Sequence, residues 1–212
     1  AGAVSVICSD KTGTLTKGVP AVTDYEVLNN EDSDLLFGKV AALEAFSQHP
    51  LSLAFIKKAE QDQIKYKSYT IEEFTSVIGK GIQGKIDGEQ YFIGNAALMK
   101  EKVSSEQVDE VSEQLKAYQL QGKTAMFVGK EKAIVAIVAV ADEVRSSSKE
   151  VVAALHAHGI KNTIMLTGDS AETANGIARE VGVATTAANL LPQDKLEKMK
   201  ELEISFFNQA DA

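Results

Sequence analysis

One cysteine, Cys8, occurs in 212 residues. That excludes an internal disulfide and a cysteine-rich metal site, and it points to a reducing compartment. No Cys-x-x-Cys is present, so no cargo-metal site is legible. Long hydrophobic runs are missing as well: the longest, Ala133 to Ala141, falls far short of the ~20 residues that a bilayer helix needs. No basic stretch followed by an apolar core opens the chain, so no signal peptide and no direct membrane insertion are expected. Positive charge is scarce. With 22 Lys and Arg against 30 Asp and Glu, the formal charge is −8, which argues against nucleic acid or an anionic membrane surface as a partner. There is no internal repeat, low-complexity segment or flexible linker. What remains is ordinary globular composition, 44% hydrophobic and 25% charged, long enough for one large or two modest domains. A soluble cytosolic piece is the expectation.

The apolar run Val4–Cys8 reads as a buried strand that ends at Ser9-Asp10, and Lys11 to Gly18 as a loop. Asp34 to Phe46 and Leu51 to Lys65 have helical periodicity, with Pro50 in the first turn of the second helix and His49 at its mouth. Tyr69 to Ile78, Gln83 to Ile86 and Gln90 to Ile93 read as strands, with Asp87-Gly88 as a hairpin turn. Gln107 to Leu120 places Val108, Val111, Leu115 and Tyr118 on one helical face. After Gly122, strands are expected at Thr124–Val128, Lys132–Val140 and Ile160–Leu166, and helices at Ser147–His158, Ala171–Val181 and Asp194–Leu202. Such alternation predicts a parallel sheet covered by helices. The fold class is therefore α/β, a doubly wound parallel-sheet domain of residues 1–21 and 124–212. Residues 22–123 form an inserted α+β domain.

The chemistry concentrates in Asp10-Lys11-Thr12-Gly13-Thr14-Leu15-Thr16. An aspartate at the carboxyl end of a buried strand sits where open α/β sheets bind ligands. Glycine admits close approach of a phosphate, the hydroxyls of Thr12 and Thr14 can donate to it, and Lys11 offsets its charge. A carboxylate can also act as the nucleophile and form an acyl-phosphate. Alone, Asp10 would read as a cap on a polar loop; the whole string reverses that. Gly79-Lys80-Gly81-Ile82-Gln83-Gly84 satisfies the Gly-x-Gly-x-x-Gly spacing of dinucleotide folds, but a hairpin follows it where that fingerprint requires a helix, so the dinucleotide reading is rejected. His156 and His158, two apart on a helix, point away from each other and share no ion.

The string from Asp10 resembles the phosphorylation motif of the P-type ATPases, membrane cation pumps of the haloacid dehalogenase superfamily. The resemblance covers nearly the whole chain in the family's motif order. It implies that Asp10 takes the γ-phosphate of ATP, that Lys11 neutralises it, and that Mg²⁺ is held by Asp10 and the Thr12 carbonyl. Thr167-Gly168-Asp169 is similar to the second phosphate-site motif, in which Thr167 bonds the phosphoryl group. Lys195 resembles the lysine that steadies the phosphate, and Asp142, followed by Arg145, has a supporting role at the nucleotide. Ser47-Gln48-His49-Pro50 resembles the Ser-x-His-Pro motif of heavy-metal pumps. By that likeness Glu44, His49, Gly79 and Gly81 hold the adenine nucleotide, joined by Gly94 and Asn95. A purine can stack on imidazole, and a carboxylate can accept from its exocyclic amine. The stretch from Asp142 through Lys195 looks most like the zinc/cadmium/lead subgroup.

Phosphatases of the superfamily carry a second aspartate two positions after the nucleophile; Thr12 stands there in this chain. Without that acid and base an acyl-phosphate persists, which suits a pump. Three features depart from the resemblance. Cys8-Ser9 looks more like calcium or sodium/potassium pumps, and no Gly-Asp-Gly-x-Asn-Asp motif, a source of a Mg²⁺ carboxylate, follows Lys195. Glu203 to Ala212 resembles nothing in the family. The expectation is a fragment on the cytoplasmic face of a membrane, partnered by transmembrane and actuator domains of the same polypeptide, in which transfer from ATP is slow or undetectable. The alternatives are a catalytically silent nucleotide-binding or regulatory module and, third, a superfamily phosphatase.

Overall fold

The computed structural model describes residue 4 and residues 6–210, with side chains described as far as residue 205. Residues 1–3, Ser5 of the expected first strand, and the last two residues of the stretch Glu203–Ala212 lie outside the described residues. The chain divides into two compact units. Unit 1 runs to Val19 and takes in Gln119–Gly122 and the chain from Asp142 onward; unit 2 comprises Pro20–Tyr118 and Lys123–Ala141.

Unit 1 holds a parallel sheet of β1 (Val6–Asp10), β8 (Asn162–Leu166) and β9 (Thr185–Ala187), in the order β1-β8-β9. The helices α5 (Ser146–Ala157), α6 (Ala171–Val181) and α7 (Pro192–Ala210) belong to the same unit. Leu15, Val152, Met165, Ala174, Ile177 and Val181 close its core. Helix α6 follows local rules at both ends. The Ser170 hydroxyl accepts from the Thr173 amide, and Gly182 terminates the helix in the left-handed region at φ 88°. In the parallel register Asp10 lies opposite Leu166, so Lys11 and Thr167 leave the sheet side by side at its carboxyl edge.

Unit 2 is built on a six-stranded sheet of order β2-β7-β6-β5-β4-β3. These strands are β2 (Thr16–Val27), β3 (Ile71–Val77), β4 (Gly81–Ile86), β5 (Glu89–Gly94), β6 (Thr124–Lys130) and β7 (Ala133–Val144). The helices α1 (Ser33–Glu44) and α2 (Ser52–Gln61) cover one face, and α3 (Ala96–Lys102) and α4 (Ser105–Leu120) the other. Asp87 and Gly88, at φ 50° and 84°, make the two-residue turn between β4 and β5.

Two expectations are corrected here. The strands at 124–140 do not join the parallel sheet: β6 pairs antiparallel with both β5 and β7, which moves residues 124–141 out of the domain expected at 124–212 and into unit 2. The run Ala133–Ala141 misled because it has no polar alternation, the usual mark of a parallel strand buried on both faces. Here an antiparallel strand is equally buried: Val138 and Val140 pack toward α1 and α2, Ile137 and Ala139 toward α3 and α4. The loop expected at Lys11–Gly18 is also shorter, because β2 begins at Thr16. Pro20 hid this strand, and it is tolerated because β2 is an edge strand of the sheet.

Candidate functional site

At the carboxyl edge of the unit 1 sheet the chain turns through Lys11–Leu15, a wide turn closed by the Thr16 amide donating to the Lys11 carbonyl. Thr12 is extended and Gly13 is left-handed, at φ 75°; this is where glycine is required. The turn is fixed from below. The Thr16 hydroxyl donates to Asp142 Oδ2 at 2.6 Å, and the Gly18 and Val19 amides donate to the Asp142 carboxylate at 3.1 Å each. Arg145 Nε donates to the Thr16 carbonyl at 2.9 Å and Ser148 Oγ to the Leu15 carbonyl at 2.9 Å. Asp142, expected beside the nucleotide, thus spends both carboxylate oxygens on the exit of the Asp10 loop.

Five of the expected side chains converge at this turn. Lys195, in the first turn of α7, reaches Asp10 Oδ1 at 2.5 Å. Lys11 pairs with Asp169 Oδ2 at 2.5 Å, both side chains nearly buried at 10% and 13% exposure. Thr167, 2% exposed, donates its hydroxyl to Asp169 Oδ2 at 3.0 Å and accepts the Asp169 amide at 3.1 Å. Gly168 lies between them, and a side chain there would crowd the Leu190 carbonyl at 3.2 Å. Thr12 and Thr14 are exposed on the turn. Position 195 is set by Pro192 at the start of α7 and by the Leu191 amide donating to the Asp194 carboxylate at 2.9 Å. The result is an aspartate at a strand end paired with the Lys195 ammonium, beside a second ion pair, Lys11–Asp169, that also takes the buried Thr167 hydroxyl.

The other expected residues lie in unit 2, in two groups. Glu44 ends α1, 5% exposed, and accepts the Ser52 hydroxyl at 2.9 Å. His49 sits in the connection to α2; its Nδ1 accepts the Leu51 amide at 3.2 Å, which places a ring proton on Nε2 in the neutral tautomer. Gly79, Gly81, Gly94 and Asn95 form the second group. Gly81 and Gly94 lie opposite each other in the β4–β5 pair, and a Cβ on Gly81 would stand 2.1 Å from the Ile93 carbonyl oxygen. Asn95 caps α3 by accepting the Leu98 amide at 3.1 Å and donates to the Gly79 carbonyl at 2.9 Å. The glycine spacing therefore first serves close strand pairing.

The haloacid dehalogenase-like hydrolase family profile matches residues 4–208. The chain belongs to the haloacid dehalogenase-like hydrolases. It is 50% identical over 210 residues to a probable cadmium-transporting ATPase of Alkalihalophilus pseudofirmus and to a cadmium-transporting ATPase of Staphylococcus aureus. In each case 99% of this chain and 29% of the relative are covered, so the chain spans under a third of those proteins' length. Among solved structures, a zinc-transporting PIB-type ATPase in the E2.Pi state superposes with a TM-score of 0.62 at 29% identity, over 95% of this chain and 32% of that one. No helix among the described residues is long and apolar enough to cross a membrane.

Sequence reasoning passed over three side chains that hold the expected residues in place, Thr16 and Ser148 in unit 1 and Ser52 in unit 2. Thr16 stood in the quoted string without a role. Ser148 and Ser52 carry no motif; each is found only through its partner, Leu15 and Glu44. His156 and His158 serve local structure, bonding Thr163 Oγ1 at 3.0 Å and the Ala154 carbonyl at 2.8 Å.

Burial pushes the Glu44 carboxyl up to about 7 from 4.5, with the Ser52 hydroxyl opposing. The folded unit then binds a proton that the unfolded chain has lost, so this group's stabilising contribution is complete below pH 4.5 and declines as pH rises to about 7. A shift of this size corresponds to about 3 kcal/mol. Glu44→Gln should remove that loss. Urea unfolding of both proteins at pH 5 and pH 8 measures it, and an unchanged pH dependence in the variant would show that Glu44 titrates normally.

Proposed function

We propose that this chain is the ATP-binding and phosphorylation part of a heavy-metal cation-transporting P-type ATPase of the zinc/cadmium/lead-like subgroup. The observation that carries the proposal is Asp10 at the strand end, held by Lys195 at 2.5 Å and beside the Lys11–Asp169–Thr167 network. In this reading an Asp10 carboxylate oxygen attacks the γ-phosphorus of ATP. The bond from that phosphorus to the β–γ bridging oxygen breaks, and ADP leaves with the electron pair. Charge spreads over the equatorial oxygens, which Lys11, Lys195 and the Thr167 hydroxyl would stabilise. The positions of Thr12 and Thr14 on the exposed turn give the incoming phosphoryl two further hydroxyl donors.

The donor chemistry fits Mg²⁺. The Asp10 carboxylate and the Thr12 carbonyl are hard oxygens, and this ion ordinarily keeps water and phosphate ligands beside one or two carboxylates. Bound there, Mg²⁺ would supply charge neutralisation for the phosphoryl oxygens. Thr12 occupies the place from which a phosphatase's second aspartate would activate water, and Asp169 is committed to Lys11 and Thr167. Both favour a lasting aspartyl-phosphate over a phosphatase cycle. The cadmium-transporting relatives support a pump of which this is the cytoplasmic catalytic portion, with membrane and actuator domains in the same polypeptide.

Unit 2 takes the nucleotide in this proposal, through Glu44, His49 and the Gly79–Gly81 turn, with Gly94 at the end of β5 and Asn95 at the cap of α3 shaping that turn. His49→Ala should weaken ATP binding by ~1–3 kcal/mol, the range in which loss of a well-placed contact falls. Calorimetric titration of ATP into both proteins tests this. Equal affinities would remove His49 from the site, and absence of ATP binding to the parent protein would remove the proposal.

A further inference from the structure

Phe46, two residues past the end of α1, is 56% exposed. It belongs to neither core cluster of unit 2, whereas Phe74 of β3 is half-buried and packs against the first of them. The two rings lie 6.0 Å apart, centroid to centroid, with 37° between their planes. Phe46 is therefore a ring braced on one side by an anchored aromatic and open on the other. Its backbone is also fixed: the Phe46 amide donates to the Leu43 carbonyl at 3.2 Å and the Ser47 amide to the Glu44 carbonyl at 2.9 Å. The contact with Phe74 covers one side of the ring and leaves the other in water.

Its neighbours along the chain point to what covers it. The side chain two residues before Phe46 is the Glu44 carboxyl, and three residues after it stands the His49 imidazole. A flat apolar face beside a few polar groups is the composition of a small-ligand site. A two-ring ledge is also smaller than the several hundred Å² of contiguous apolar surface that marks protein partners. We propose that the Phe46 ring, braced by Phe74, is the stacking face for the purine of the nucleotide, with Glu44 accepting from its exocyclic amine. This rests on the nucleotide role given above to unit 2. It adds a residue that none of the motifs contains.

Calorimetric titrations of ATP and of inorganic tripolyphosphate into the full chain separate base from phosphate. Base–aromatic stacking losses of ~1–3 kcal/mol convert to ATP affinity weakened about 5- to 150-fold in Phe46→Ala, with tripolyphosphate unaffected. Phe46→Leu, which keeps apolar volume without a π face, should weaken ATP nearly as much and covers the case in which the alanine variant misfolds. Phe46→Trp should restore binding. Since the chain has no tryptophan, its single indole should change emission on ATP and stay silent with tripolyphosphate. If the parent binds ATP but Phe46→Ala and Phe46→Leu bind it equally well, or the indole ignores ATP, the stacking role is wrong while the nucleotide role stands. If the parent binds no ATP, both fall.

Discussion

Asp10→Asn should abolish covalent phosphorylation outright and, with it, the docking of an acyl-phosphate mimic. An amide nitrogen or oxygen cannot replace the carboxylate that forms the mixed anhydride, whereas the neighbours that stabilise charge remain in place. In the presence of Mg²⁺, beryllium fluoride should give a bound fluoride NMR signal with the parent protein and none with the variant. The fold should survive the change. Asp10 and Lys195 are 41% and 31% exposed, so their pair contributes at most ~1 kcal/mol to stability. Lys11 keeps its own partner in Asp169. Identical bound signals from the two proteins, or phosphate found on another residue, would mean that Asp10 is not the nucleophile.

Gly81→Ala should destabilise unit 2 strongly. At φ 143° an alanine is strained before any contact is counted, and its Cβ would lie 2.1 Å from the Ile93 carbonyl oxygen and 2.6 Å from Gly94 Cα. These are backbone atoms, so relief requires β4 and β5 to part at a point where they are paired. A cost of at least ~3 kcal/mol follows from combined backbone strain and overpacking. Gly88→Ala is the control. It also has a positive φ, 84°, but nothing within 4 Å of the added carbon, so it should cost only ~1 kcal/mol. Urea unfolding of both variants measures the difference. Equal costs would show that the strands separate easily at Gly81. Any loss of ATP binding in Gly81→Ala must be read against this, because a strand-pairing defect would mimic a missing nucleotide contact.

The parts legible in the sequence were those that local chemistry decides. Helix α6 runs Ala171–Val181 as expected because Ser170 starts it and Gly182 stops it. The β4–β5 hairpin follows from Asp87-Gly88, two residues able to take positive φ in succession. Helices α1 and α2 were placed to within a few residues by periodicity. The short β9 and α3 were not foreseen: three and seven residues carry too little pattern to stand out. Strand β2 was hidden by Pro20, and its place at the sheet edge could be known only once its neighbours were.

By itself the sequence determined which residue types could do chemistry, and on which kind of element each sits: an aspartate at a strand end, a threonine before a helix, a lysine in a helix's first turn. The tertiary structure decided their partners. Lys195 meets Asp10 across 185 positions of chain, and Thr16 meets Asp142 across 126. Lys11 is engaged by Asp169, and burial pushes the Glu44 carboxyl well above the usual carboxylate range. Turns, caps and periodicity depend on a few consecutive side chains. Pairing, burial and the electric environment of a carboxyl depend on what the rest of the chain brings beside it, and no local pattern carries that information.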